Sequence, residues 1–207
     1  MSGGFDAVFQ LSEYLFRRKV FKLVGGAFHI MDASGNTVMY STQKAFRLRE
    51  DMTIWADEDQ SRELLTIKTP QILDFGATYM VMDATTGEDV GAIARKGLKS
   101  VVKDEWMFIS AENLQIGTLT ESGWARAIIS RLINLVPQNY SITSEDGREV
   151  AVINQHFNPF VLKYTMSILE PNPPIDRRLL ISMGILLCAI EGRQGGGGTV
   201  GTYGGNV

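Results

Sequence analysis

The sequence predicts a mainly β protein: a closed antiparallel barrel of about 12 strands around a central apolar C-terminal helix, with one amphipathic helix on its outside. Three observations carry this. Five segments repeat the order apolar strand, polar turn, second strand. Short extended pieces lie between them. Near the C-terminus the run Leu179 to Ile190, LLISMGILLCAI, is apolar on every side of a helical wheel and so must be buried on every side.

The repeated hairpins are Phe28–Ser41, Thr53–Lys68, Tyr79–Arg95, Trp106–Thr120 and Tyr140–Asn154. The residue closing each first strand is Asp32, Asp57, Asp83, Ser110 and Ser144, at intervals of 25, 26, 27 and 34 residues. Gly35, Gly87 and Gly147 stand where such a turn needs positive φ, and Asp or Ser side chains there bond the turn's own amides. These carboxylates are therefore read as turn formers. A calcium loop starting at Asp57 fails, because Arg62 stands where the loop needs Gly and Lys68 where it needs Glu. Between and after the hairpins, Val20–Val24, Ala45–Arg49, Leu98–Lys103 and Phe160–Leu169 read as further strands. The long last interval holds Gly123–Val136, where Trp124, Ile128, Leu132, Leu135 and Val136 recur at helical spacing between Ser122 and Pro137.

The apolar run is bounded by Asp176 at its start, where a carboxylate favours the helix dipole, and by Gly192, read as its stop. With mainly strands available to cover it, a barrel enclosing the helix is the economical solution. Barrels wider than about 8 strands have room for contents beyond their own side chains. Ser182 and Gly184 would let a strand approach closely, and Cys188 is a small core residue. Beyond the helix, 8 of the 16 residues from Gly192 to Val207 are glycine, the composition of a solvated tail. The expected organisation is a lead segment over 1–15, the barrel over 16–194 and the tail over 195–207.

Composition narrows the function classes. A hydrophobic content of 44% with 21% charged residues belongs to an ordinary globular body, and a net charge of -3 argues against a surface built for nucleic acid. The first residues lack a secretory signal pattern and the lone cysteine forms no internal disulfide, so a cytoplasmic protein is expected. The 12-residue apolar run is short of the about 20 residues needed to cross a bilayer. With His29 and His156 as the two histidines and no HExxH, CxxC or GxSxG, neither catalysis, nor a metal, nor a cofactor is expected. The glycine run at 195–198 follows a helix where a phosphate loop would precede one.

What remains is basic charge: Arg17-Arg18-Lys19 with Lys22, then Lys44, Arg47 and Arg49, then Arg95-Lys96 with Lys99 and Lys103. The third cluster is the densest. Arg95, Lys96, Lys99 and Lys103 are the candidate residues for anionic lipid headgroups, each cation contributing about 1 kcal/mol near an acidic surface. The commoner meaning of such a cluster is a solvated barrel face.

Four segments make the pattern more specific: FRRKVFKLVGGAFHIMDASGNTV at Phe16–Val38, MVMDATTGEDVGAIARK at Met80–Lys96, VAVINQHFNPFVLKYTMSI at Val150–Ile168 and DRRLLISMGILLCAIEGRQ at Asp176–Gln194. Over Phe16 to Gln194 the chain resembles the tubby C-terminal-like superfamily, which includes the LURP-one-related proteins and the phospholipid scramblases. That resemblance implies a non-enzymatic barrel binding an anionic, phosphoinositide-like phospholipid membrane surface or a protein partner, cytoplasmic and peripheral to the membrane. The alternative is scramblase-like lipid translocation, weakened here by the absence of a Pro-rich extension and of a Cys cluster for acylation. Nucleic acid is not an expected partner. Truncation after Arg193 removes no apolar periodic segment, so the melting temperature should be unchanged within error; a large drop would show that the glycine-rich tail packs on the barrel.

Overall fold

Twelve strands account for most of the computed structural model, which describes residues 6–19, 26–43, 51–69, 78–95, 105–122, 138–156, 158 and 161–194. They are β1 (Glu13–Lys19), β2 (Gly26–Met31), β3 (Thr37–Gln43), β4 (Met52–Trp55), β5 (Glu63–Lys68), β6 (Thr78–Asp83), β7 (Asp89–Arg95), β8 (Glu105–Ile109), β9 (Gln115–Glu121), β10 (Asn139–Ser144), β11 (Glu149–His156) and β12 (Val161–Ile168). A 3-10 turn, Ala7–Gln10, precedes β1, and helix α1 (Arg177–Gln194) follows β12. Each strand pairs antiparallel with its sequence neighbours, and β1 pairs with β12 to close the barrel.

All five expected hairpins are present, and their turns share one construction. The ladder shifts register beside every turn, between Ile30/Met31, Ile54/Trp55, Val81/Met82, Phe108/Ile109 and Ile142/Thr143. Such a bulge adds twist and helps a sheet curl shut. A residue of positive φ follows in each turn: Gly35, Gly87 and Gly147, and in the two turns without glycine, Gln60 and Asn113. The acidic residues do form the turns. Asp32 Oδ1 accepts from the amides of Ser34 and Asn36 at 2.9 and 2.8 Å, and Asp57 Oδ1 from Ser61 at 3.0 Å.

Strand β1 precedes the first strand expected from the sequence. The strand expected at Val20–Val24 lies outside the described residues, as do those at Ala45–Arg49 and Leu98–Lys103, the helix at Gly123–Val136 and the tail after Gln194. Tyr14 and Phe16 of β1 are buried in the core. Three consecutive cations hide this alternation in the sequence.

Helix α1 fills the lumen. Its described side chains from Arg177 to Ala189 are buried, apolar and polar alike. It packs against β1 and β12 and also against β6 and β7, which lie on the opposite side of the ring. A helix touching diametrically opposed strands is inside the barrel. Cys188 is buried, as a core residue should be. Gly184 faces the ring of Phe16, into which an added Cβ would run, so the close approach comes from a side chain rather than from a strand backbone. The helix continues through Gly192 to Gln194, so that glycine is not its stop; a helical glycine costs about 1 kcal/mol relative to alanine, which weakens a helix without ending it.

The Gly184–Phe16 contact yields a coupled prediction. Gly184→Val should destabilise the protein by about 1–3 kcal/mol through overpacking. Combined with Phe16→Leu, which removes the opposing ring atoms, it should cost less than the two single losses added together. Chemical denaturation of the four proteins measures this, and strict additivity would mean that the two residues do not share that space.

Candidate functional site

Because neighbouring strands alternate in direction, the barrel has two unlike ends. The five tight turns lie at one, the turn end. At the other, the rim, β1 leaves toward β2, β3 toward β4 and β7 toward β8 through segments outside the described residues. Helix α1, about 27 Å long at 1.5 Å per residue, enters from the turn end and runs toward the rim.

Two arginines fasten the helix at the turn end. Asp176 caps it, accepting the Arg178 amide at 2.8 Å. The side chain of Arg178, 5% exposed, donates through Nη1 to Asp83 Oδ2 at 2.9 Å and Glu88 Oε2 at 2.8 Å, and through Nη2 to Asp176 Oδ2 at 2.8 Å. The helix start is thus tied to the β6–β7 turn across the barrel mouth. Burial works against the charge of Asp83 but is outweighed by hydrogen bonds from the Thr85 hydroxyl, the Arg178 guanidinium and the amides of Thr86 and Thr85, which bring its pKa down to about 2. Burial likewise opposes the charge on Arg178, and its three carboxylate partners more than compensate, so its pKa rises. Arg177 works on the other side. Its Nη1 donates to the carbonyls of Leu11 at 2.8 Å and Phe9 at 3.3 Å, and its Nε to that of Pro171 at 3.2 Å, holding the 3-10 turn against the helix entry. Beneath it, Tyr14 donates to the Val8 carbonyl at 2.9 Å, and burial pushes its hydroxyl up to about 12 against the pull of the Arg177 charge.

At the rim a third arginine receives the helix. Arg18 Nη1 donates to the carbonyls of Cys188 and Ala189 at 3.0 and 3.2 Å, placing a cation beside the C-terminal half of the helix. Its guanidinium also lies 5.1 Å from the centroid of the Phe28 ring. Of the four candidate headgroup residues, Arg95 is described: it ends β7 at the rim, with its guanidinium 5.9 Å from the centroid of the buried Trp106 ring. Lys96, Lys99 and Lys103 lie outside the described residues.

Charge is divided between the ends. Asp32, Asp57, Glu58, Asp59, Glu88, Glu112, Glu145 and Asp146 all stand in the tight turns, against Arg62 and Arg148. Toward the rim the strands carry Arg17, Arg18, Lys19, Lys68, Arg95 and Lys163, against Asp51, Glu105 and Glu121. In sequence, the stretches between these strands that lie outside the described residues add Lys22, Lys44, Arg47, Arg49, Lys96, Lys99, Lys103, Arg126 and Arg131, against Glu50, Asp74 and Asp104. No group of side chains able to hold a metal ion occurs among the described residues. No described helix is long and apolar enough to cross a membrane.

A family model described as LURP-one-related matches residues 12–188. The chain belongs to the LURP-one-related family. No curated protein matches it. Among solved structures, the LURP-one-related barrel is similar to an X-ray structure of a protein from Arabidopsis thaliana, with a TM-score of 0.53 and 14% identity over 90% of this chain and 96% of that one. At that identity the likeness concerns the fold.

In the sequence Asp83 and Asp176 read as a turn former and a helix start, and nothing local connects either with Arg178. One signal was available. Two adjacent arginines in the first turn of a helix oppose its dipole, so carboxylates or carbonyls from elsewhere must hold them.

The Arg178–Asp83 tie predicts an acid-dependent stability. Since the Asp83 pKa lies below its ordinary 3.8, its contribution is complete above that value and is lost as pH falls toward about 2. Asp83→Asn should cost about 2 kcal/mol at neutral pH, and the gap between variant and native protein should close on acidification. Denaturant melts across that range test this; a gap that does not change with pH would show that the charge of Asp83 contributes nothing.

Proposed function

We propose that this domain is a non-enzymatic binding module that docks its rim on an anionic phospholipid membrane surface, cytoplasmic and peripheral to the bilayer. The observation that carries this reading is the division of charge between the two ends. A barrel of net charge -3 that gathers its carboxylates in the tight turns and its cations toward the rim is oriented by an acidic surface, which attracts one end and repels the other. The resemblance to phosphoinositide-tethered barrels of the tubby-like superfamily supports the same assignment. Arg95, Lys96, Lys99 and Lys103 are the residues we assign to the headgroups. Of these, Arg95 is steadied against Trp106, and the three lysines belong to the segment that follows it. The packed lumen favours a surface function, because helix α1 occupies the space in which a wide barrel would otherwise hold a small molecule.

Reversal of Lys96, Lys99 and Lys103 to Glu, with Arg95 retained for its contact to Trp106, should abolish flotation with anionic vesicles and leave the melting temperature nearly unchanged. Native binding should fade as salt is raised. Binding that ignores both salt and the three reversals would overturn the reading and point to a protein partner. Vesicles with fluorescent lipid in the inner leaflet separate the alternative: a surface binder leaves that lipid inside, whereas scramblase-like translocation exposes it.

A further inference from the structure

The register of five adjacent strands lines up one row of side chains on the outer wall. Tyr164 of β12 and Phe16 of β1 face inward, as do Ile30, Met39 and Ile54 of β2, β3 and β4, so their neighbours Lys163, Arg17, His29, Tyr40 and Trp55 face out. Each of these stands directly opposite the next. Folding does not explain the cationic half of the row, because directly opposed like charges such as Lys163 and Arg17 destabilise a sheet. No carboxylate stands between them. The Nε of Arg17 is moreover buried and has no hydrogen-bond acceptor, which folded proteins seldom leave unanswered. In the other half, Tyr40 and Trp55 keep part of their aromatic surface in water. His29 joins the halves: its ring meets Tyr40 edge-on with centroids 5.3 Å apart, and its Nε2 lies 3.4 Å from Glu58 Oε1, a carboxylate that reaches the row from the β4–β5 turn.

The row runs obliquely along the barrel. His156, opposite Lys163, is the last residue of β11 and lies at the rim, whereas Trp55 is the last residue of β4 and lies beside a tight turn. A flat surface laid against the rim does not reach both. We infer that this wall is the docking site of an extended acidic segment of a partner protein, whose carboxylates lie on Lys163, Arg17 and His29 and whose following apolar side chains lie on Tyr40 and Trp55. The lengths agree. From β12 to β4 the row crosses four strand intervals, about 19 Å at about 4.8 Å each. An extended chain advances about 3.4 Å per residue and turns alternate side chains to one face, so the first, third, fifth and seventh residues of a segment span about 20 Å. The wall's own amides and carbonyls are committed to the barrel ladders, which leaves recognition to side chains. A guanidinium takes a carboxylate through two parallel bonds and the neighbouring ammonium adds a point charge, so a carboxylate supplies the acceptor that Arg17 lacks. Arginine, tyrosine and tryptophan are also the residues in which binding energy at protein interfaces concentrates. This surface is separate from the rim docking proposed above, and the inference does not depend on it.

The test uses a fluorescein-labelled peptide, Glu-Ser-Glu-Ser-Leu-Ser-Phe, with its Gln-Ser-Gln analogue as control, in anisotropy titrations of the full chain. The native chain should bind the acidic peptide at least tenfold more tightly than the analogue. In Arg17→Gln/Lys163→Gln that discrimination should vanish, and Trp55→Ala should weaken binding about fivefold. The double variant should melt no lower than the native protein, since it removes a like-charge pair. If either variant fails to fold, the two peptides still decide on the native chain, and the imidazole resonances of its two histidines, both in the row, should move with the acidic peptide alone. Phosphatidylserine vesicles should leave the bound peptide in place. A native chain that does not discriminate between the peptides overturns the inference, as does discrimination that survives in the double variant or binding indifferent to Trp55. Displacement of the peptide by the vesicles would assign the wall to the membrane and overturn it as well.

Discussion

A helix with apolar side chains on every face has no stable position in contact with water, and the rest of this barrel follows from giving it one. Leu179, Leu180, Ile181, Met183, Ile185, Leu186 and Leu187 point in all directions from α1 and are all buried. A flat sheet covers one side of a helix. Closing the sheet on itself covers all of it, and that closure requires the β1–β12 pairing and the repeated bulges that curl each hairpin. The lumen side chains of twelve strands and one helix then form a single core, in which Phe16 fills the space left by Gly184.

Enclosure creates a polar problem along the helix, and arginines answer it at its start and in its C-terminal half. At the turn end, Arg177 gathers backbone carbonyls of the N-terminal segment and Arg178 gathers three carboxylates. Toward the rim, Arg18 meets the carbonyls of Cys188 and Ala189 in the C-terminal half of the helix. A buried ion pair is a weak source of stability in itself, because desolvation offsets much of the attraction. Its value here is in position: it sets how far the helix is inserted and which turn it faces. Orientation and register of an otherwise greasy rod are thereby specified by a few charged atoms.

The same geometry sorts the surface. Antiparallel closure sends every tight turn to one end, and tight turns draw on Asp, Asn and Ser for their side-chain hydrogen bonds, so the turn end is acidic for structural reasons. Toward the other end no such demand operates, and the described strand ends there carry Arg17, Arg18, Lys68, Arg95 and Lys163. Polarity useful for docking on an acidic surface therefore arises partly as a consequence of how the hairpins are built. The outward row from His156 to His29 extends that polarity along the wall, at positions where the pleat leaves side chains free of the core.

The sequence by itself determined the barrel: the period of the hairpins, the turn residues Asp32, Asp57 and Asp83, and a helix too apolar to lie anywhere but inside are all local patterns that survive without coordinates. The strand Glu13–Lys19 was not legible, because alternation is read through hydrophobicity and its positions 17 to 19 are all cationic. Only the tertiary structure separated those cations, turning Arg18 inward to the C-terminal half of the helix and Arg17 outward beside Lys163, 146 residues away in the chain. It also joined Asp83 to Arg178 across 95 residues. Turn and helix propensities act over a few neighbouring residues, whereas pairings of this kind are set by the order in which strands close the ring, and nothing in the local sequence encodes which distant residue will stand opposite.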